Sequence, residues 1–216
     1  MSRTCLPVRA AVLAAFVAFL ASPAEAGPPL LCHPFEPGAG AALLPWGDST
    51  TNWNAPDATY DRHHLVRDTL HLLSPDAPVL ARMENLRRAA IYAAGDRQTA
   101  ADLLSTLVSR ARRDEGTTRV RAMAWFDAGY AIETYRQVSQ IAGRTSDRDL
   151  RSWTAGREPA EDGYAMVRRA LELTGGDATI EYAASLMTTG PTAAEHHRRA
   201  AAMARADVLL ARHLAR

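Results

Sequence analysis

From about residue 57 to the end of the chain, apolar residues recur at intervals of three and four, the spacing that gathers them on one face of an α-helix. This pattern predicts a series of helices. They cover about residues 58–73, 76–94, 96–113, 118–142, 159–173, 177–187 and 192–214. The alternating Val, Ile, Thr and Tyr runs that are typical of strands are absent from the sequence. Because most of the connecting turns are short, we expect an all-α array of antiparallel neighbouring helices.

Short polar residues indicate where several of these helices begin. Asp96 or Thr99 is expected to cap the helix 96–113, and Asp177 follows two glycines as the cap of another. Thr192 and Glu195 have the spacing of a capping box, in which each side chain binds the other residue's free backbone amide. The capping box predicts that the last helix starts at this point.

The first 26 residues have the three parts of a secretory signal peptide. Arg3 and Arg9 make the start of the chain positive, residues 10–21 are apolar, and Ala24-Glu25-Ala26 has the A-x-A form of a cleavage site. The pattern predicts cleavage after Ala26. The mature protein is therefore expected in the bacterial periplasm or outside the cell.

Residues 27–56 are rich in proline and glycine and follow neither the helical nor the strand period. They are predicted to form an irregular arm that packs on the helical domain, residues 57–216. Trp46 and Trp53 on this arm have two interpretations. Their amphipathic rings suit a platform for a sugar or peptide, and such rings also anchor loops that have no regular hydrogen bonding of their own, which is the more common use.

The charges of the chain are nearly balanced, with 25 basic and 24 acidic residues and a net charge of +1. Every basic residue is arginine, which we interpret, together with the many alanines, as the coding bias of a GC-rich bacterium. Arginines are interspersed with acids: Glu84 and Arg88, for example, are predicted to pair at i, i+4 on the face opposite the apolar stripe of their helix. Nucleic acid is not expected as a partner, because no basic stripe is present.

Beyond the leader, no uncharged stretch approaches the roughly 20 residues of a transmembrane helix, so the mature chain is expected to be soluble.

Two stretches have the character of repeated helix pairs. The segment "AWFDAGYAIETY" places Trp125 four residues before Gly129, with Tyr130 next, and "GYAMVRRALEL" is followed by "GDATIEYAASLM". These stretches resemble tetratricopeptide-type repeats. The resemblance implies an α-solenoid-like array with a non-catalytic concave surface that binds a protein or peptide, here in the cell envelope. Trp125 and Tyr130, together with Trp46 and Trp53, are the candidate binding residues.

Histidines provide one candidate metal site. His64, Asp68 and His71 stand at i, i+4 and i+7 and therefore face one side of the first helix. Two imidazoles and a carboxylate at this spacing suit Zn²⁺ with one position open to water, and the alternative is a solvated helix face. No H-E-x-x-H signature accompanies them, so we expect no cofactor unless this face binds zinc. His196 and His197 point about 100° apart on the last helix and are not expected to share a metal.

Cys32 is the only cysteine that remains after the predicted cleavage, so it has no partner for an internal disulfide. Its neighbour His33 makes it a candidate reactive thiol, but Pro34 favours an extended backbone that turns the two side chains apart. Cys32, His33 and Phe35 are therefore expected to anchor the arm on the helices.

As a whole, the sequence predicts an exported scaffold or binding protein with no assigned catalytic residue. The alternative is a metal- or thiol-dependent enzyme that uses Cys32 or the histidine face of the first helix.

Overall fold

A computed structural model of the chain describes residues 29–32, 34–47, 56–113, 115–144, 160–204 and 207–215. Within these ranges all regular structure is helical and no strand occurs. The prediction of an all-α fold is confirmed for these residues. The predicted leader lies outside them, as do His33 and Trp53.

The described residues form a short 3₁₀ turn at Arg62–His64 and a series of α-helices. The α-helices are α1 (Pro29–Cys32), α2 (Leu65–Leu72), α3 (Val79–Ala93), α4 (Arg97–Arg112), α5 (Thr118–Arg144), α6 (Gly163–Thr174), α7 (Ala178–Met187), α8 (Gly190–Met203) and α9 (Val208–Leu214). Helices α3 to α7 correspond to the predicted helices 76–94 through 177–187. None of the described helices is both long and apolar enough to span a bilayer.

Aspartate side chains begin α4 and α7, as predicted. Asp96 accepts hydrogen bonds from the backbone amides of Gln98 and Thr99, at 2.9 and 3.2 Å. Asp177 accepts in the same way from Thr179, at 2.9 Å, and from the following residue. Each carboxylate thereby satisfies amides that have no partner within the helix.

The predicted capping box at the start of α8 is wrong. The N-cap of α8 is Thr189, and Pro191 lies in the first turn, where a proline loses no hydrogen bond because that amide would be free anyway. The carboxylate of Glu195 accepts instead from Arg199 Nε, at 2.9 Å. The helix therefore starts before Thr192.

The last predicted helix is two helices, α8 and α9. Asp207 stands between them and caps α9 by accepting from the amides of Leu209 and Leu210, at 3.0 and 2.9 Å. The break is hidden from periodicity because alanine and apolar residues continue on both sides of it.

Helix α3 lies at the centre of the fold. Of its residues, all except Arg88 are buried, so it has no solvated face. It packs against α2, α4, α5 and α7, and the arm closes its remaining side. The predicted pair Glu84–Arg88 is present, at 2.7 Å, but its predicted exposure is wrong, since only 1% of the Glu84 side chain is accessible.

The buried charges of α3 are paired. Arg82 Nη1 donates to the Asp127 carboxylate on α5 at 2.7 Å, and Arg82 Nε donates to the Ala77 carbonyl at 3.1 Å. Glu84 accepts from Arg87 Nη2 at 2.8 Å. A buried charge without such partners costs several kcal/mol, roughly, so these contacts are what allow α3 to be both charged and central.

The arm is held on α3 by side chains that bond its backbone. Glu84 Oε2 accepts from the amide of Phe35 at 3.0 Å, and Asn85 Oδ1 accepts from the amide of Leu44 at 2.8 Å. Further along, the Tyr92 hydroxyl donates to the Pro45 carbonyl at 2.7 Å. Beyond the short helix α1, these bonds replace the secondary structure that the described part of the arm lacks, because buried backbone groups must find partners.

Helices α5 and α6 approach most closely at two glycines. A β-carbon at Gly163 would lie 2.6 Å from the Gly129 carbonyl oxygen, and one at Gly129 would collide with the backbone of Gly163 in return. Only residues without a side chain permit this crossing. The contact fixes the start of α6 and with it Tyr164, the next residue.

Candidate functional site

A pocket of about 600 Å³ opens between α6, α7 and α8. Helix α6 contributes Tyr164, Arg168 and Leu171 to its wall, whereas α7 contributes Glu181 and α8 contributes His196, among others. The volume lies in the range of small-molecule and peptide side-chain sites. The pocket therefore combines space for a ligand with chemically active side chains.

Three of these side chains form a continuous hydrogen-bonded chain. The Nδ1 atom of His196 bonds the carboxylate of Glu181, and its Nε2 atom lies 2.8 Å from the Tyr164 hydroxyl. A carboxylate acceptor fixes the proton on Nδ1, so in neutral His196 the Nε2 atom is the acceptor and the Tyr164 hydroxyl donates to it. Glu181 and His196 are each only 5% exposed. The chain thus leads from a buried carboxylate to a phenol on the pocket wall.

Local sequence places each member of this chain. Tyr164 is the second residue of α6, after the cap Asp162, and its amide donates to Glu133 on α5 at 3.2 Å. Glu181 lies in the first turn of α7. The rings of Tyr164 and His196 meet edge to face, with centroids 5.7 Å apart, which restricts the orientation of both.

The charges around the pocket are mostly paired with one another. Arg199 Nε donates to Glu195 at 2.9 Å, and its Nη1 lies 3.8 Å from Glu181. Glu172 on the rim accepts from Arg169 at 2.9 Å. Each carboxylate of the pocket therefore already has a cationic or imidazole partner.

Arg168 is different from the other arginines at the pocket. Its guanidinium carbon lies 5.9 Å from the centre of the Tyr164 ring. Among the described residues, no carboxylate lies within ion-pair distance of it. The wall of the pocket consequently presents a cation next to a phenol.

The predicted metal-binding residues of the first helix make other contacts. The Asp68 carboxylate accepts from the Tyr60 hydroxyl and from Arg67 Nε, both at 2.9 Å, and His64 Nε2 lies 3.6 Å from Asp61. His71 lines a separate surface pocket beside the arm. In the described part of the chain, no group of three His, Cys, Asp or Glu side chains has the arrangement of a metal site.

Three of the predicted aromatic binding residues, Trp46, Trp125 and Tyr130, are described, and they lie in different environments. Trp46 is partly buried, with its ring edge-on to Tyr92 at 5.6 Å and the guanidinium of Arg87 5.0 Å from its centre. Trp125 is partly buried against the core. Tyr130 is fully buried in α5, which raises the pKa of its phenol and leaves it no surface to offer a partner.

Two of the predicted anchor residues, Cys32 and Phe35, lie beside the helices. The Phe35 ring is buried and meets Tyr182 edge to face at 6.5 Å, with His213 6.0 Å away. Cys32 is half-buried against the core. Burial raises the pKa of its thiol, although nearby Arg87 lowers it in part, so at neutral pH the thiol carries little of the nucleophilic thiolate.

Comparison of the chain with protein-family models, with curated proteins and with solved structures gives no match. The interpretation of the pocket therefore depends on its own residues. The central contact of the pocket, between Glu181 and His196, is not among the sequence-based predictions, which treat His196 as a pair with its neighbour His197. The sequence does hold a signal: Glu181 and His196 stand equally far from the turn at residues 188–189, and an antiparallel helix pair places such residues opposite each other.

Proposed function

We propose that this protein is an exported helical binding protein whose pocket between α6, α7 and α8 receives a peptide or protein partner of the cell envelope. The observation that supports this proposal is the chain Glu181–His196–Tyr164 on the pocket wall. Buried polar groups are costly to place in a core, and here Glu181 bonds His196, both ring nitrogens of His196 have partners, and the chain of contacts ends at the Tyr164 hydroxyl on the pocket wall. Such an arrangement presents a rigid polar contact to a ligand.

The tetratricopeptide-like architecture is part of this proposal. Paired helices of such arrays require close crossings and short turns, and the protein has both: α5 and α6 cross closely at two glycines, and a short turn joins α7 and α8.

Export is also part of the proposal, and the leader-like sequence of the first 26 residues supports it. Amino-terminal sequencing of the protein recovered from the periplasm or culture medium of its bacterial host should begin at Gly27, and a chain that retains Met1 would refute export by cleavage.

A second candidate function is acid–base catalysis in the same pocket. A carboxylate that orients an imidazole, which in turn bonds a hydroxyl, is the arrangement that activates nucleophiles in many hydrolases. This observation supports catalysis better than Cys32 does, because burial raises the pKa of that thiol. Turnover of a p-nitrophenyl ester that disappears in Tyr164→Phe would favour catalysis over binding.

The binding proposal is tested by affinity selection from a synthetic library of random tetrapeptides with free carboxyl ends, with mass spectrometry of the retained peptides. Thr192→Trp places a large ring at the pocket wall. Ala201→Trp places the same ring on an exposed site of the same helix outside the pocket. We expect the wild type and Ala201→Trp to retain peptides and Thr192→Trp to lose them. Equal retention by all three proteins would remove the pocket from the function, and no retention by any would refute peptide binding.

A further inference from the structure

The pocket wall presents one positive charge that the described residues do not neutralise. Arg168 lies one helical turn after Tyr164 on α6, and its guanidinium rests near the Tyr164 ring. Its sequence neighbour Arg169 is paired with Glu172 at 2.9 Å. A ligand that enters the pocket therefore meets the guanidinium of Arg168, whereas Arg169 lies outside the pocket lining and is paired with Glu172.

The remaining ionic groups of the pocket do not compete for an incoming anion. Arg199 is engaged by Glu195 and lies near Glu181, and Glu181 is bonded to His196. Because these charged groups are paired with one another, Arg168 is the charged residue of the pocket lining that has no ion-pair partner among the described residues. A guanidinium offers a planar pair of N–H donors that fits a carboxylate in a bidentate manner.

The phenol next to Arg168 has the complementary property. In neutral His196 with its proton on Nδ1, the Tyr164 hydroxyl donates to Nε2 across 2.8 Å, and its oxygen can accept a further hydrogen bond. A ligand that matches this wall has a carboxylate for Arg168 and an N–H donor close to it for Tyr164. Leu171 and Pro191 also line the pocket and provide apolar contact for a ligand side chain.

We propose that the pocket recognises an N-acyl amino acid group, as presented by the free carboxyl end of a peptide. In this complex Arg168 binds the terminal carboxylate and the Tyr164 oxygen accepts from the last amide N–H. The last side chain packs on Leu171 and Pro191. This inference rests on the proposed binding function, because it assigns the ligand of that same pocket.

The test compares the tetrapeptide library with an identical library whose carboxyl ends are amides. We expect the wild type to retain the acids about tenfold or more over the amides, since a hydrogen bond to a charged group is lost with the amide. Arg168→Gln should abolish this preference, and Arg169→Gln, which removes the neighbouring charge, should keep it. Both arginines are exposed, and circular dichroism of the two variants checks that they fold alike.

The outcomes separate this inference from the function on which it rests. Equal retention of acids and amides by the wild type overturns carboxylate recognition and leaves peptide binding intact. Loss of the preference in both arginine variants overturns the role of Arg168, because a general effect of positive charge then explains it. Retention of neither library refutes the binding function itself. N-Acetylleucine as a competitor distinguishes the sources: full competition indicates any N-acyl amino acid, and weak competition beside strongly retained tetrapeptides indicates a peptide end.

Discussion

Gly129 and Gly163 meet with no side chain between them, so that a β-carbon on Gly163 would lie 2.6 Å from the Gly129 carbonyl oxygen. Backbone on both sides of this contact leaves little room for adjustment. Since Tyr164 follows Gly163 directly, the same contact sets the position from which the Tyr164 hydroxyl reaches His196.

Gly163→Ala is expected to lower the free energy of unfolding by about 1–3 kcal/mol, because the added methyl group forces the two helices apart. Gly95→Ala is the matched control, since a β-carbon at Gly95 meets no atom within 4 Å. Urea denaturation measures both variants. Equal stability of the two would show that the helices separate without cost and that the crossing does not hold α6 in place.

His196→Ala is expected to destabilise the protein by about 3 kcal/mol, because it leaves the buried Glu181 carboxylate without its closest partner. His197→Ala changes an exposed side chain on the same helix and should stay within about 0.5 kcal/mol of the wild type. Thermal and urea denaturation provide the comparison. Similar losses for the two variants would contradict the buried contact.

The ionised Glu84 carboxylate is expected to make the free energy of unfolding depend on pH in the acidic range. Burial alone raises the pKa of this carboxyl, but hydrogen bonds and charge from Arg87 and Arg88 outweigh burial and lower the pKa below its ordinary 4.5. A depressed pKa in the folded state means that the stabilisation is present above pH 4.5 and is lost as the pH falls through the folded value.

The test is the difference in unfolding free energy between the wild type and Glu84→Gln. At pH 7 the variant should be less stable by about 3 kcal/mol, because the change removes one partner of a buried ionic group. The difference should shrink as the pH falls from 4.5 toward 3, while the acid response of all other groups is common to both proteins and cancels. A difference that stays constant over this range would contradict the lowered pKa.

Cys32→Ser is expected to cost about 1 kcal/mol, because a hydroxyl replaces a thiol that packs against the core. In a Cys5→Ser background, the Cys32 thiol should also react slowly with Ellman's reagent at pH 8 and rapidly in urea, since burial raises its pKa. Equal rates in both conditions, together with an unchanged melting temperature, would show that the thiol is freely accessible.

Local patterns predicted helices α3 to α7 well, and they predicted poorly which other parts of the chain these helices contact. Asp177 is predicted as a cap from its own neighbourhood, and Asp96 is predicted as one of two candidates beside Thr99, because a cap bonds amides only two and three residues away. The pair Glu84–Arg88 was also predicted, but its burial was not, since the residues that cover it belong to the arm some 40 or more positions earlier.

In the candidate site, too, the sequence predicts local contacts better than contacts between distant segments. Glu181 and His196 face each other across a single turn, so the spacing in the sequence contains their contact. Tyr164 reaches them only through the packing of α6, which depends on the glycine crossing with α5. Periodicity within one helix holds no information on that crossing, and for this reason the complete pocket required the structure.

The contacts of the arm also determine the order in which the fold is completed. The amide of Leu30 bonds Gln137, 107 positions later, and the Glu36 carbonyl bonds His213, 177 positions later. We expect contacts between such distant positions to form late, because closing the long intervening loop costs conformational entropy before the contacts can stabilise the fold. Although a ribosome makes the segment around residues 30–36 early, we expect it to be among the last to find its native neighbours, because those neighbours include residues as late as His213.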